Sequence, residues 1–190
     1  MAEHLSRRSV ALGLGASALL PGAAFAQAQQ TYSEDEIVAA AERFFGAGAE
    51  GLATVIDHVF DDHGRPNGYI EGDEASGAIG VGLRYGDGRL RLKGRGGSTR
   101  VFWQGPSLGF DTGGNAARVF TLVYGMSNPD QIFQRFPGVD GSAYFVGGVG
   151  VNYQNRNNIT LAPMRAGVGL RLGANIGYLA YSRRRRINPF

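Results

Sequence analysis

Cysteine is absent from the 190-residue chain. That excludes disulfides, thiolate chemistry, thiolate-held metals and a lipid anchor on cysteine. Tryptophan occurs once, as Trp103. Of the three histidines only His58 and His63 lie beyond the first 26 residues. They stand five apart rather than four, and neither HExxH nor GxSxG occurs, so no metal site and no serine nucleophile elbow is expected. Gly167-Val-Gly169-Leu-Arg-Leu-Gly173 lacks the strand-turn-helix setting of a dinucleotide loop and reads as glycines that let a strand curve. No cofactor and no nucleic-acid partner follow. No apolar run reaches the roughly 20 residues of a membrane helix.

What is present begins with an export signal. Arg7-Arg8, the apolar Val10–Leu20 and Ala24-Phe25-Ala26 predict cleavage before Gln27. Ser6-Arg7-Arg8-Ser9-Val10 resembles a twin-arginine signal, so either that route or the general secretory one would export residues 27–190 as a single domain.

Charge is divided along the chain. Gln27 to Ala75 holds eleven acidic residues against two arginines, whereas Ser76 to Phe190 holds fifteen basic residues against four acidic ones. Two readings follow: a helical cover attracted to a basic sheet, or a separate basic surface for anionic lipid or glycan.

Ser33 stands three residues before Glu36, the spacing of a capping box, and Ile37, Ala40, Ala41, Phe44 and Phe45 recur at helical spacing. Leu52, Val55, Ile56, Val59 and Phe60 form one apolar face of a second helix from Glu50 to about Asp62. These two predict a helical cover over about residues 33–63. Period two takes over from Tyr69. Asp87-Gly88 reads as a two-residue hairpin turn, Gly105-Pro106 as a sharp corner, Ser142–Tyr153 as one strand-like run, and Asn155–Asn158 as a polar hairpin tip. Val168–Leu172 and Ile176–Tyr181 are the last two strands. From Ser76 onward stand 22 of the 31 glycines, many inside strand-like runs, as bends and close backbone approach require. The fold expected is mainly β: a small antiparallel, glycine-rich barrel of about 8–10 strands over residues 69–190, with one or two N-terminal helices covering it.

The stretch Val101–Gly125 concentrates candidate ligand-binding residues. Trp103 with Tyr144 could stack on a ligand, Arg100 or Arg165 could neutralise an anionic group, and Ser107, Asp111, Asn115 and Asp140 supply polar contacts. Asp111 and Asp140, both beside glycine, could instead form an acid/base pair, or each could bond local backbone N–H groups. Asp87 and Asp130 fit turns. The run Arg183–Arg186 ends in Phe190; a terminal Phe also marks outer-membrane barrels, but four adjacent arginines are costly on a lipid-facing strand, about 2–4 kcal/mol each at mid-bilayer.

Several of these segments resemble a known family. Trp103-Gln-Gly-Pro-Ser-Leu-Gly-Phe-Asp111, Gly113-Gly114-Asn115, Gly138-Val-Asp-Gly-Ser-Ala-Tyr144-Phe-Val-Gly-Gly-Val-Gly-Val151, Gly167-Val-Gly-Leu-Arg-Leu-Gly-Ala-Asn-Ile-Gly-Tyr178 and Asn188-Pro-Phe190 are similar to envelope integrity protein A (EipA). Gly64-Arg-Pro-Asn-Gly-Tyr69 and Glu74-Ala-Ser-Gly77 extend the likeness over the whole mature chain. The resemblance implies a small soluble periplasmic β-barrel needed for envelope integrity, with no catalytic residue attached. Trp103-x-x-Pro106-Ser107 and the glycine rhythm after it more loosely resemble the SYLF lipid-binding domain, which implies lipid or phosphorylated head-group binding. The function expected is therefore non-enzymatic: binding an envelope component such as anionic lipid, lipopolysaccharide or peptidoglycan, with other envelope proteins as further partners and no membrane span. The alternatives are an enzyme acting on peptidoglycan or surface polysaccharide through Asp111 and Asp140, and a small barrel spanning the outer membrane.

Overall fold

The described residues begin with two short helices and continue into one antiparallel sheet. A computed structural model describes residues 30–46, 51–79, 81–107, 115–139, 142–166 and 177–186. The export signal, the Val168–Leu172 strand, Asp111 and Asp140 lie outside the described residues.

Helix α1 spans Glu34–Phe45 and starts at the predicted capping box: Ser33 Oγ accepts from the Glu36 N–H at 3.3 Å, and Glu36 Oε2 accepts from the Ser33 N–H at 2.9 Å. Helix α2 spans Leu52–His63 and stops at Gly64, whose φ of 71° is open to glycine at no steric cost. Leu52, Val55, Ile56 and Val59 are buried, as their spacing dictates.

Ten strands follow among the described residues: β1 Gly68–Ile79, β2 Val81–Leu92, β3 Thr99–Ser107, β4 Asn115–Tyr124, β5 Arg135–Pro137, β6 Tyr144–Val146, β7 Val149–Val151, β8 Gln154–Arg156, β9 Ile159–Ala166 and β10 Tyr178–Ser182. They form one sheet in the order β5-β10-β3-β2-β1-β4-β9-β7-β6, with β8 also paired to β9. The sheet curls back on itself. Gly138, just past β5, bridges to Gln154 of β8, and the Val139 N–H donates to Tyr153 O at 2.9 Å. Curling removes most exposed strand edges.

Strand alternation divides the apolar residues into two cores. Ile70, Leu90, Leu92, Val101, Trp103, Val119, Val123, Phe136, Leu161 and Leu179 fill the inside of the curl, together with Met126 and Ile132 from the segment around the 3₁₀ turn Pro129–Ile132. Tyr69, Phe120, Leu122, Val149, Val151 and Met164 point outward and bury against α1 and α2. The predicted helical cover is therefore real, and it covers one side of the barrel-like sheet. Charge helps to seat it. Lys93 pairs with Glu36, and Arg118 donates to the carbonyls of Phe44 and Phe45 at 2.6 and 3.4 Å, the exposed end of α1.

Three local expectations are corrected. Asp87-Gly88 is no hairpin, because β2 runs unbroken through it and pairs Asp87 with Asp73 of β1. Glycine is present there for room: a Cβ on Gly86 would lie inside the Trp103 indole, and one on Gly72 would meet the same ring. Gly105-Pro106 is no corner either. Both lie within β3, where Gly105 lets the Tyr178 carbonyl of β10 approach and Pro106 pairs with Leu83 beyond the β10 ladder. Ser142–Tyr153 divides into β6 and β7 at Gly147-Gly148, both at positive φ. The polar tip before β9 is a tight turn at Asn157-Asn158, with φ of 51° and 61°, values that asparagine tolerates best after glycine.

Candidate functional site

Trp103 faces the inside of the curl and is 3% exposed. Its indole Nε1–H donates to Glu74 Oε2 at 2.8 Å. Glu74 is the centre of a buried ion cluster. Arg165 Nε donates to Glu74 Oε1 at 3.0 Å, Arg84 Nε lies 3.2 Å from the same oxygen, and Arg165 Nη1 donates to Asn152 Oδ1 at 3.0 Å. The three strands β1, β2 and β9 bring these charges together because positions 74, 84 and 165 all alternate inward.

Burial opposes ionisation of Glu74, yet Arg165 and Arg84 outweigh it and hold the carboxyl below its ordinary value. Burial and the neighbouring Arg165 pull Arg84 down to about 10, which leaves it protonated at neutral pH. Burial pushes the Tyr181 hydroxyl up; its ring stands 5.9 Å from Trp103. Glu74 is thus fully committed, one carboxylate held between two guanidinium groups and the indole N–H.

The predicted site residues are thus separated. Trp103 and Arg165 meet through Glu74. Tyr144 sits on the other layer, where its ring stacks on His58 at 3.9 Å, so no Trp103–Tyr144 clamp forms. Arg100 points to the outer wall, paired with Asp87 at 3.0 Å and set over Phe102. Ser107 ends β3 and Asn115 begins β4, and Asp111 and Asp140 fall outside the described residues. Asp87 sits mid-strand rather than in a turn and holds two arginines, Arg100 and Arg185.

A cavity of about 470 Å³ opens on the outer wall where β3, β10 and β5 meet. Gln104 and Ala180, paired across β3 and β10, form its floor with Ser182. Phe133, Gln134 and Arg135 form one side, and Arg183, Arg184 and Arg186 the other. The tail carrying those arginines is fixed by two ion pairs, Arg183 to Asp130 at 2.8 Å and Arg185 to Asp87 at 3.2 Å. Ser182 Oγ adds a bond to the Arg184 carbonyl at 2.8 Å. Among the described residues Arg135, Arg184 and Arg186 have no carboxylate partner, and no acidic side chain lines the cavity. Arg135 instead lies over the Tyr178 ring, 4.6 Å from its centroid. Such an arrangement can bind an anion. Sequence reasoning found the arginine run; it missed Arg135 and Gln104, which only the β10 ladder brings beside it, and it missed Glu74, which looked like one more acid in an acidic segment.

Residues 30–190 match the model of the family described as EipA, envelope integrity protein A. Among solved structures, the chain is similar to a beta-barrel-like, uncharacterized protein from Brucella abortus. The two share 46% sequence identity with a TM-score of 0.74, over 84% of this chain and 99% of that one. No curated protein matches.

Proposed function

Because the chain belongs to the envelope integrity protein A family, we propose that it is an exported, periplasmic, non-enzymatic protein that protects the cell envelope by binding an anionic envelope component, whether lipid, lipopolysaccharide or cell-wall glycan. The observation that carries this reading is the arginine-walled cavity, whose Arg135, Arg184 and Arg186 lack carboxylate partners among the described residues. Uncompensated guanidinium groups around a concavity favour anions both by field and by hydrogen-bond geometry.

The site moves from the Trp103 stretch to the neighbouring face of the same strand. Trp103 is buried in the core, while Gln104, the next residue, floors the cavity. A binding role is supported further by the state of the ion cluster: Glu74 is occupied by two arginines and an indole N–H, which leaves it poorly suited to proton transfer. A non-spanning protein is supported by the outer wall. No described helix is long and apolar enough to cross a membrane. The outward positions Asp87, Arg89, Arg91 and Arg100 put charge where a lipid belt would need apolar side chains.

The test is binding by the protein purified from the periplasmic fraction, paired with complementation of a strain lacking its gene. Wild type should bind one of anionic phospholipid vesicles, lipopolysaccharide or peptidoglycan and restore resistance to envelope stress. R184Q/R186Q should do neither while keeping its melting temperature. Unaltered binding and full complementation by that variant would overturn the reading.

A further inference from the structure

The cavity's charge count narrows the ligand. Four arginines line it, and among the described residues only Arg183 has a carboxylate partner, Asp130. A single carboxylate would leave most of the remaining charge uncompensated. A phosphomonoester carries about −1.5 to −2 at neutral pH and presents three strong acceptor oxygens. Guanidinium forks match phosphate oxygens in pairs, and the cations are almost all of that kind, since Lys93 is the chain's single lysine. The volume, about 470 Å³, also exceeds what a phosphate group alone needs, and lies within the range of small-molecule pockets. Phe133 and Ala180 offer an apolar surface for whatever the phosphate is attached to.

The pocket is also built in advance. Along the tail the paired and unpaired arginines alternate: Arg183 goes to Asp130 and Arg185 to Asp87, while Arg184 and Arg186 have no acidic partner among the described residues. Asp87 sits on β2 and Asp130 on the 3₁₀ turn, so the tail is tied down from both sides of β10. Both ties are exposed and each contributes little to stability. Their effect is on where the free arginines stand.

We infer that this pocket takes a phosphate-bearing ligand, held by Arg135, Arg184 and Arg186 with its organic part against Phe133 and Ala180, and that Asp87 and Asp130 act as positioning residues for it. The inference rests on the binding reading above and names the chemistry of that same site. A lipid whose head group ends in a phosphomonoester and a soluble phosphorylated sugar share this chemistry.

The test uses the exported, full protein in calorimetric titration with glycerol 1-phosphate, and in co-sedimentation with phosphatidic acid vesicles, whose head group is a phosphomonoester, against phosphatidylcholine vesicles. A polyuronic acid supplies carboxylate without phosphate. Saturable binding of glycerol 1-phosphate is expected, weaker by about tenfold for each of R184Q and R186Q, the usual value of a charge-assisted contact. Binding to phosphatidic acid vesicles as well would make a lipid surface the source, and binding to the soluble ester alone would make it a free phosphorylated molecule; both support the inference. D87N/D130N should weaken binding several-fold through the tail without any contact to the ligand, and unchanged affinity in that variant would remove the positioning role. Binding of the polyuronic acid with none of the phosphate ligands would overturn the phosphate assignment and leave the envelope-binding reading standing. Binding of nothing anionic would overturn both.

Discussion

The Trp103 indole N–H donates to Glu74 Oε2 at 2.8 Å inside the curl, while Arg165 Nε and Arg84 Nε approach Glu74 Oε1 at 3.0 and 3.2 Å. One carboxylate therefore organises a tryptophan and two cations from three other strands. Removing it strands both arginines in a buried setting. Glu74→Gln should destabilise the protein by about 3–5 kcal/mol, as breaking a buried pair from one side does, measured by urea unfolding at neutral pH.

The same carboxylate sets an acid limit. Burial opposes its ionisation, but Arg165 and Arg84 prevail, so its folded value lies below the ordinary 4.5. A depressed value means the stabilisation is complete above the unfolded value and is lost as pH falls through the folded one. Unfolding free energy of the wild type should decline as pH drops below about 4.5. In Glu74→Gln that part of the decline should vanish; an identical acid profile in the two proteins would contradict the assignment.

Gly86 faces Trp103 across the β2–β3 ladder, and a methyl group there would occupy the indole's position. Gly86→Ala should cost about 1–3 kcal/mol by overpacking. In a Trp103→Leu background the added penalty of the methyl group should shrink, because the smaller side chain leaves it room. The double-mutant cycle measures this coupling directly. Additive costs would mean that the two residues do not compete for space.

Much of the fold was legible because it rests on local signals. The Ser33–Glu36 capping box, the apolar faces of both helices and the Asn157-Asn158 turn each depend on residues close in sequence. Glycine misled, because one residue type serves two purposes. At Gly147-Gly148 it makes a turn, whereas inside the continuous β2 strand it clears space, at Gly86 for the distant Trp103 ring and at Gly88 for the Glu71 carbonyl of β1. The site was harder for the same reason. Glu74 and Arg165 are 91 positions apart, and which arginines of the tail remain free is decided by Asp87 and Asp130, far away in the chain.

Arg118 holds α1 to the sheet by donating to the Phe44 and Phe45 carbonyls. Those carbonyls lie at the helix end that carries partial negative charge. Arg118→Ala should cost about 1 kcal/mol in global stability. Its clearer sign is local: amide exchange across Glu34–Phe45 should accelerate while the β1–β2 amides stay protected. Uniform acceleration throughout the protein would place Arg118 in the barrel's own stability instead.

Trp103 supplies an optical check on where the ligand site is. With the indole 3% exposed and bonded to Glu74, its emission should be blue-shifted and resist acrylamide quenching. Because Trp103 and Gln104 face opposite sides of β3, ligand in the outer cavity should change that emission little, even at concentrations that saturate calorimetric binding. Trp103→Ala should then lose stability by about 3–5 kcal/mol, the cost of emptying a large buried site, rather than lose a ligand contact. A variant that keeps wild-type stability but fails to bind would return the site to the inside of the curl. A destabilised variant that still binds under conditions where it is folded would leave the site on the arginine-walled face.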